Sequence, residues 1–150
     1  MRFAWKRTFP RDTARAMSEE NVEAAEPLRR LFDAFNKRDW SAFPVELDPE
    51  VEYTPVEVHA TLRGPEAFVE YLERWLDDWD TFSAEVEAVE STPSEDRALI
   101  AFRLGGIGKG SGVEIYARFF WVTELRGGRV YRISEYTDRA EALEAAGLSE

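Results

Sequence analysis

Apolar residues recur every three or four positions from Ser18 to about Lys37, at Val22, Ala25, Leu28, Phe32 and Phe35, and this spacing predicts an amphipathic helix. Pro27 sits inside that pattern, so the helix either kinks there or becomes regular only from that residue onward. Trp40, Phe43 and Leu47 suggest a short second helix closed by Pro49, and residues 51–55 alternate as a short strand. After a connector over 56–64, Pro65 opens a helix whose stripe is Phe68, Leu72, Trp75, Leu76 and Trp79. The period then changes from helical to alternating: residues 82–89 read as a half-exposed strand, and residues 97–104 as a more buried one. A glycine-rich stretch over 105–112 joins two strands, where a phosphate loop would need a strand and then a helix, so it reads as a hairpin loop or bulge. The longest β-branched and aromatic run, Ser111 to Asp138, predicts a hairpin turned at Gly127-Gly128, followed by a short helix capped by Asp138 and stopped by Gly147.

A regular hairpin about that turn pairs Leu125 with Val130, Val122 with Ile133 and Phe120 with Glu135. One face then carries Tyr116, Arg118, Phe120, Val122, Ile133, Glu135 and Thr137, and the other Phe119, Trp121, Thr123, Arg132, Ser134 and Tyr136. Arg118 and Glu135 become diagonal neighbours among apolar residues, which suits a cavity lining, a mutual ion pair, or both. Phe119, Trp121 and Tyr136 form an apolar patch that predicts a homodimer through sheet packing.

The order of these elements resembles the SnoaL-like proteins of the nuclear transport factor 2-like superfamily. LFDAFNKRDWSAFPVELDPEVEY is similar to the family's opening helix pair and first strand, LRGPEAFVEYLERW to its third helix, and GGRVYRISEYTDRAEALEAAG to its closing strand and helix. The resemblance covers about residues 18–148. It implies an α+β fold, a cone-shaped curved antiparallel sheet wrapped around N-terminal helices with a deep apolar pocket. It also implies that the concave sheet face lines the pocket, and that an acidic residue late in the sheet, here Glu135 or Asp138, acts as acid or base. The strand ending Glu135-Tyr136-Thr137-Asp138 departs from the His-Trp-Asp-like ending of the family's cyclases.

Composition narrows the chemistry. The 150 residues suffice for one domain with a real core. There is no cysteine and one histidine, so no thiolate nucleophile, Cys-based zinc site or multi-His site is available, and neither metal nor cofactor is expected. A net charge of −11 disfavours nucleic acid and anionic membranes, and no run approaches a membrane span, so a cytoplasmic protein is expected. The charge is uneven, because residues 1–16 carry Arg2, Lys6, Arg7, Arg11 and Arg15 against Asp12 alone. This basic extension reads as disordered or as lying upstream of a start at Met17, with a single domain over 17–150; a rival reading folds it onto the acidic body through Phe3, Trp5 and Phe9.

Glu135 is the first candidate for chemistry, since burial raises a carboxyl pKa toward neutrality whereas Arg118 beside it would lower it and make a structural pair. His59, in the connector, is either a proton shuttle at the pocket mouth or simply solvated. Trp75 and Trp79 read as a stacking wall or as core, and Tyr53 and Tyr116 as hydrogen-bond donors to a ligand oxygen or as half-buried structural residues. Arg103 would hold a ligand carboxylate or balance nearby acids, and Phe120 completes the expected pocket. The expected function is a cofactor-free pocket for a small, largely apolar, carbonyl-type molecule, either an acid/base isomerase, cyclase or dehydratase, or a non-catalytic ligand-binding or dimerisation module.

Overall fold

The structure, a computed structural model, describes residues 24–58 and 60–148. The basic arm, the Ser18 cap and His59 lie outside the described residues.

Helix α1 spans Ala25–Asn36 and buries Leu28, Leu31, Phe32 and Phe35. Pro27 falls in its first turn, where the backbone N–H has no partner within the helix, so the proline costs no internal hydrogen bond. A 3-10 turn at Phe43–Glu46 follows. Strand β1 then begins at Leu47 rather than after Pro49 and runs to Thr54, with its register broken between Leu47 and Glu52. Such an irregularity accommodates a proline that a regular ladder would not. The connector contributes a two-residue strand, β2 (Leu62–Arg63), that the sequence pattern did not predict.

Helix α2 covers Pro65–Leu76, and Trp79 is not on it but is the first residue of β3 (Trp79–Ser91). Strand β4 (Arg97–Gly108) incorporates Gly105 and Gly106, which were expected in a loop. Gly105 pairs with Tyr116 in the ladder, and only glycine fits there because the Tyr116 ring lies where a Cβ would be. Strands β5 (Glu114–Arg126) and β6 (Arg129–Tyr136) form the predicted hairpin, with Gly127 and Gly128 both at positive φ, as a type I′ turn requires. Helix α3 (Arg139–Ala145) is capped by Asp138, whose carboxylate accepts from the Ala140 N–H at 3.0 Å.

The fold is α+β, as expected, but the sheet is mixed. Its order is β2-β1-β6-β5-β4-β3, with β1 and β6 parallel and every other pair antiparallel. The main core lies between α1, α2 and one sheet face, and α3 covers part of the other face over Leu99, Ala101, Phe120 and Val122.

The hairpin register corrects the predicted faces. Leu125 pairs with Val130 as expected, but then Glu124 pairs with Arg132, Thr123 with Ile133 and Trp121 with Glu135. Tyr131 is the extra residue of a β-bulge, and beyond it the side-chain parity of β6 relative to β5 is reversed. Glu135 therefore shares the inner face with Phe119, Trp121, Thr123 and Ile133, while Arg118, Phe120 and Tyr136 lie on the outer face. The predicted dimer patch does not exist as a surface: Trp121 is 6% exposed within the core, Phe119 packs against that core, and Tyr136 packs on the α3 side.

Candidate functional site

Strand β6 lies between β1 and β5, so Glu135 near its end has a neighbour on each side. From β5, the Trp121 indole Nε1 donates to Glu135 Oε2 at 2.9 Å; from β1, the Tyr53 hydroxyl donates to the same oxygen at 3.1 Å. The chain leaving β1 adds a third donor, the Val56 backbone N–H, at 3.1 Å from Oε1. Every partner is neutral. Desolvation pushes the Glu135 carboxyl above the usual range, and the three donors, Trp121 first, oppose that shift without cancelling it. Burial beside Glu135 also holds the Tyr53 hydroxyl well above its usual pKa, so it stays a proton donor.

These groups face a cavity between the helices and the sheet, with about 60 Å³ of free space. Ten of its sixteen lining residues are aromatic, among them Phe32 from α1, Phe102 and Trp121 from the sheet, and Tyr71 and Trp75 from α2. The rings brace one another: Phe32 and Phe102 each lie about 5.1 Å or less from their neighbours in the Phe32–Phe102–Trp121 set, and Trp75 meets Phe82 edge-on at 4.5 Å. Tyr53 stacks on the fully buried Phe68 at 4.3 Å, which fixes its hydroxyl toward Glu135. At the exposed end, the Tyr71 hydroxyl donates to Glu57 at 2.9 Å, and both residues line the cavity.

The outer face has a different chemistry. Arg103 pairs with Glu85 at 2.8 Å and lies 5.0 Å from the Tyr116 ring, while Arg118 pairs with Glu87 at 3.3 Å and lies 5.7 Å from the Phe120 ring. Arg103, Tyr116, Arg118 and Phe120 are thus not cavity residues. The reversed parity beyond the bulge separates Arg118 from Glu135 by the thickness of the sheet, and the expected Arg118–Glu135 pair does not form.

The family description SnoaL-like domain matches residues 28–133. The chain belongs to the SnoaL-like family. Among solved structures, the fold is similar to a hypothetical protein with a ketosteroid isomerase-like fold from Catenulispora acidiphila in complex with trimethylamine, at 17% identity over 82% of this chain and 93% of that one, with a TM-score of 0.67. It is likewise similar to a protein from Jannaschia sp. provisionally named a SnoaL-like polyketide cyclase (19% identity, 85% and 93% covered, TM-score 0.67). TerC co-crystallised with polyporic acid is a third such structure (16%, 83% and 97%, TM-score 0.68). At these identities the likeness establishes the fold. Curated proteins give no match.

In this SnoaL-like chain, Tyr53, Trp75 and Glu135 line the cavity, and Trp79 stands beside it, 5.5 Å from Trp75 and 4.9 Å from Phe82. The sequence reading missed Glu57 and Tyr71 and placed Trp121 on the wrong face. Tyr71 had a signal, lying three residues after Phe68 on α2, whereas Glu57 sits in a connector without periodicity. Among the described residues, no group of three or more potential ligands is placed to hold a metal ion, and no helix is long and apolar enough to cross a membrane.

Proposed function

We propose that this SnoaL-like protein holds a small, largely apolar molecule in its aromatic cavity, and that Glu135 moves a proton there. The observation that carries this reading is a carboxyl against the cavity, held only by neutral donors and raised in pKa by burial. Burial makes such a group harder to ionise than an exposed carboxyl and, once ionised, a stronger base. Of its two oxygens, Oε2 already accepts twice while Oε1 accepts once, so Oε1 is the atom that takes the proton. Tyr53 positions Glu135 and is not free to hold a ligand oxygen. Tyr71 is placed for that role, exchanging Glu57 for a ligand carbonyl. The relatives crystallised with trimethylamine and polyporic acid support a small-molecule site in this fold.

The reaction class is proton transfer next to a carbonyl, which underlies isomerisation, dehydration and ring closure alike. Solvent hydrogen exchange tests it: in D2O, the wild-type protein accelerates exchange at the α-carbon of small cyclic ketones, followed by NMR. Glu135→Gln lowers that rate by about 100-fold or more while the ketones still bind. A second reading, a non-catalytic binding module, is favoured by the same three hydrogen bonds, which also suit a carboxylate with a purely structural task. Binding without exchange in the wild type establishes that second reading. A second copy of the chain, where one binds, uses a surface other than the Phe119–Trp121 face.

A further inference from the structure

The cavity has an unusual charge composition. Its two ionisable carboxylates, Glu135 within and Glu57 at the mouth, are accompanied by no Lys or Arg side chain among the described lining residues. Sheet arginines pair away from the cavity, Arg103 and Arg118 with the outer-face glutamates and Arg126 and Arg132 with Asp48, Glu50, Glu52 and Glu124. Glu57 also raises the pKa of Glu135, which reflects two like charges acting across one low-dielectric space. Around them stand ten aromatic rings, whose faces carry the negative part of the ring quadrupole. Rings and carboxylates therefore favour the same sign of ligand. An anion would meet repulsion with no cation to offset it; a neutral molecule is admitted, but only a cation gains from compensating the carboxylates.

We infer that the cavity selects a small organic cation, a protonated or quaternary alkylammonium group seated among the Tyr53, Tyr71, Trp75 and Trp121 rings between Glu135 and Glu57. A metal ion is a poorer fit, because two carboxylates without a third ligand do not make a coordination shell. An alkylammonium needs no such shell: its charge is diffuse, its methyl or methylene surface suits aromatic walls, and cation–π attraction strengthens where water is excluded. About 60 Å³ of free space admits a headgroup of a few heavy atoms, with the rest of the ligand projecting past Glu57. The inference rests on the cavity being a ligand site and adds the charge of what enters it.

Choline and its uncharged isostere 3,3-dimethylbutan-1-ol test this, since they have the same shape and differ in charge. In isothermal titration of the full chain, choline binds about tenfold or more tighter than the alcohol. Glu57→Gln, at the exposed mouth, weakens choline severalfold and leaves the alcohol unchanged, and Trp75→Leu weakens choline more than the alcohol. Equal or tighter binding of the alcohol overturns the inference while the apolar-pocket reading stands. Binding of neither probe at millimolar concentration, with circular dichroism unchanged, also overturns it. Choline bound as expected alongside absent ketone exchange has the converse meaning: the cation site stands and the proton-transfer reading falls.

Discussion

Glu87 and Glu135 are half-buried glutamates on opposite faces of one sheet, and desolvation raises the pKa of both. Their partners separate them. Glu87 on β3 is opposed by the Arg118 guanidinium, so the ionised pair carries no net charge and is complete in itself. Glu135 is opposed by an indole, a phenol and a backbone amide, which orient the carboxylate without neutralising it. Closing a salt bridge makes a structural element, whereas surrounding a carboxylate with neutral dipoles leaves its charge or its proton available to something else. The sheet thus keeps its ion pairs on one face and an uncompensated acid on the other.

The largest effects that would break this contrast come from two buried phenylalanines, one on each face. Phe102 lines the cavity and Phe120 packs on the outer side near α3, each 2% exposed. Each Phe→Ala substitution is expected to cost about 3–5 kcal/mol in urea denaturation, by lost burial and an unfilled space. Only Phe102→Ala should change the affinity for cavity ligands. A ligand affinity that responds equally to both substitutions would mean that the faces are not functionally distinct.

Glutamine replacements come next. Glu135→Gln removes proton transfer and costs only about 1 kcal/mol, because the amide oxygen still accepts from Trp121 and Tyr53 and only the Val56 N–H loses its acceptor. Glu87→Gln should do the reverse, costing roughly 1–2 kcal/mol by weakening the charge-assisted bond from Arg118 while leaving ketone exchange at the wild-type rate. Paired denaturation and exchange measurements check the crossover. Loss of exchange in Glu87→Gln would place chemistry on the outer face.

Much of the frame was legible in the chain. The consecutive glycines at 127–128 announced the hairpin turn, Asp138 announced the last helix, and the change of period after α2 announced the sheet. Trp79 was misplaced because it continues the four-residue spacing of Trp75 although the helix has ended at Leu76. The parallel pairing of β1 with β6 joins segments some 80 residues apart, and no local pattern encodes it. The decisive miss was the bulge. Val130 and Ile133 are both fully buried and three residues apart, which strict alternation forbids. That spacing was the available signal for an extra residue between them, and reading it would have kept Glu135 in the cavity while taking Arg118 and Phe120 away from it and bringing Phe119 and Trp121 in.

The smallest expected effect is also the most specific, a difference in sign with pH. The unfolded Glu135 carboxyl titrates near about 4.3, and in the fold its pKa is higher because burial disfavours the charged form. Between those values the folded protein binds the proton more readily, so the contribution is fully present below the unfolded pKa and is lost as pH rises through the folded one. Gln is permanently neutral, so the stability of Glu135→Gln relative to wild type should improve as pH rises from acid to neutral. Asp48 behaves oppositely. The Arg126 guanidinium, bonded to its two oxygens at 3.0 and 2.8 Å, holds that carboxyl below the usual range. Its stabilisation is present above the unfolded value of about 3.9 and fades as pH falls through the lower folded value. Asp48→Asn should therefore lose most at neutral pH and approach wild type on acidification. Thermal melting of both variants across that range should give difference curves of opposite slope; slopes of the same sign would mean that Glu135 is compensated by a charge after all.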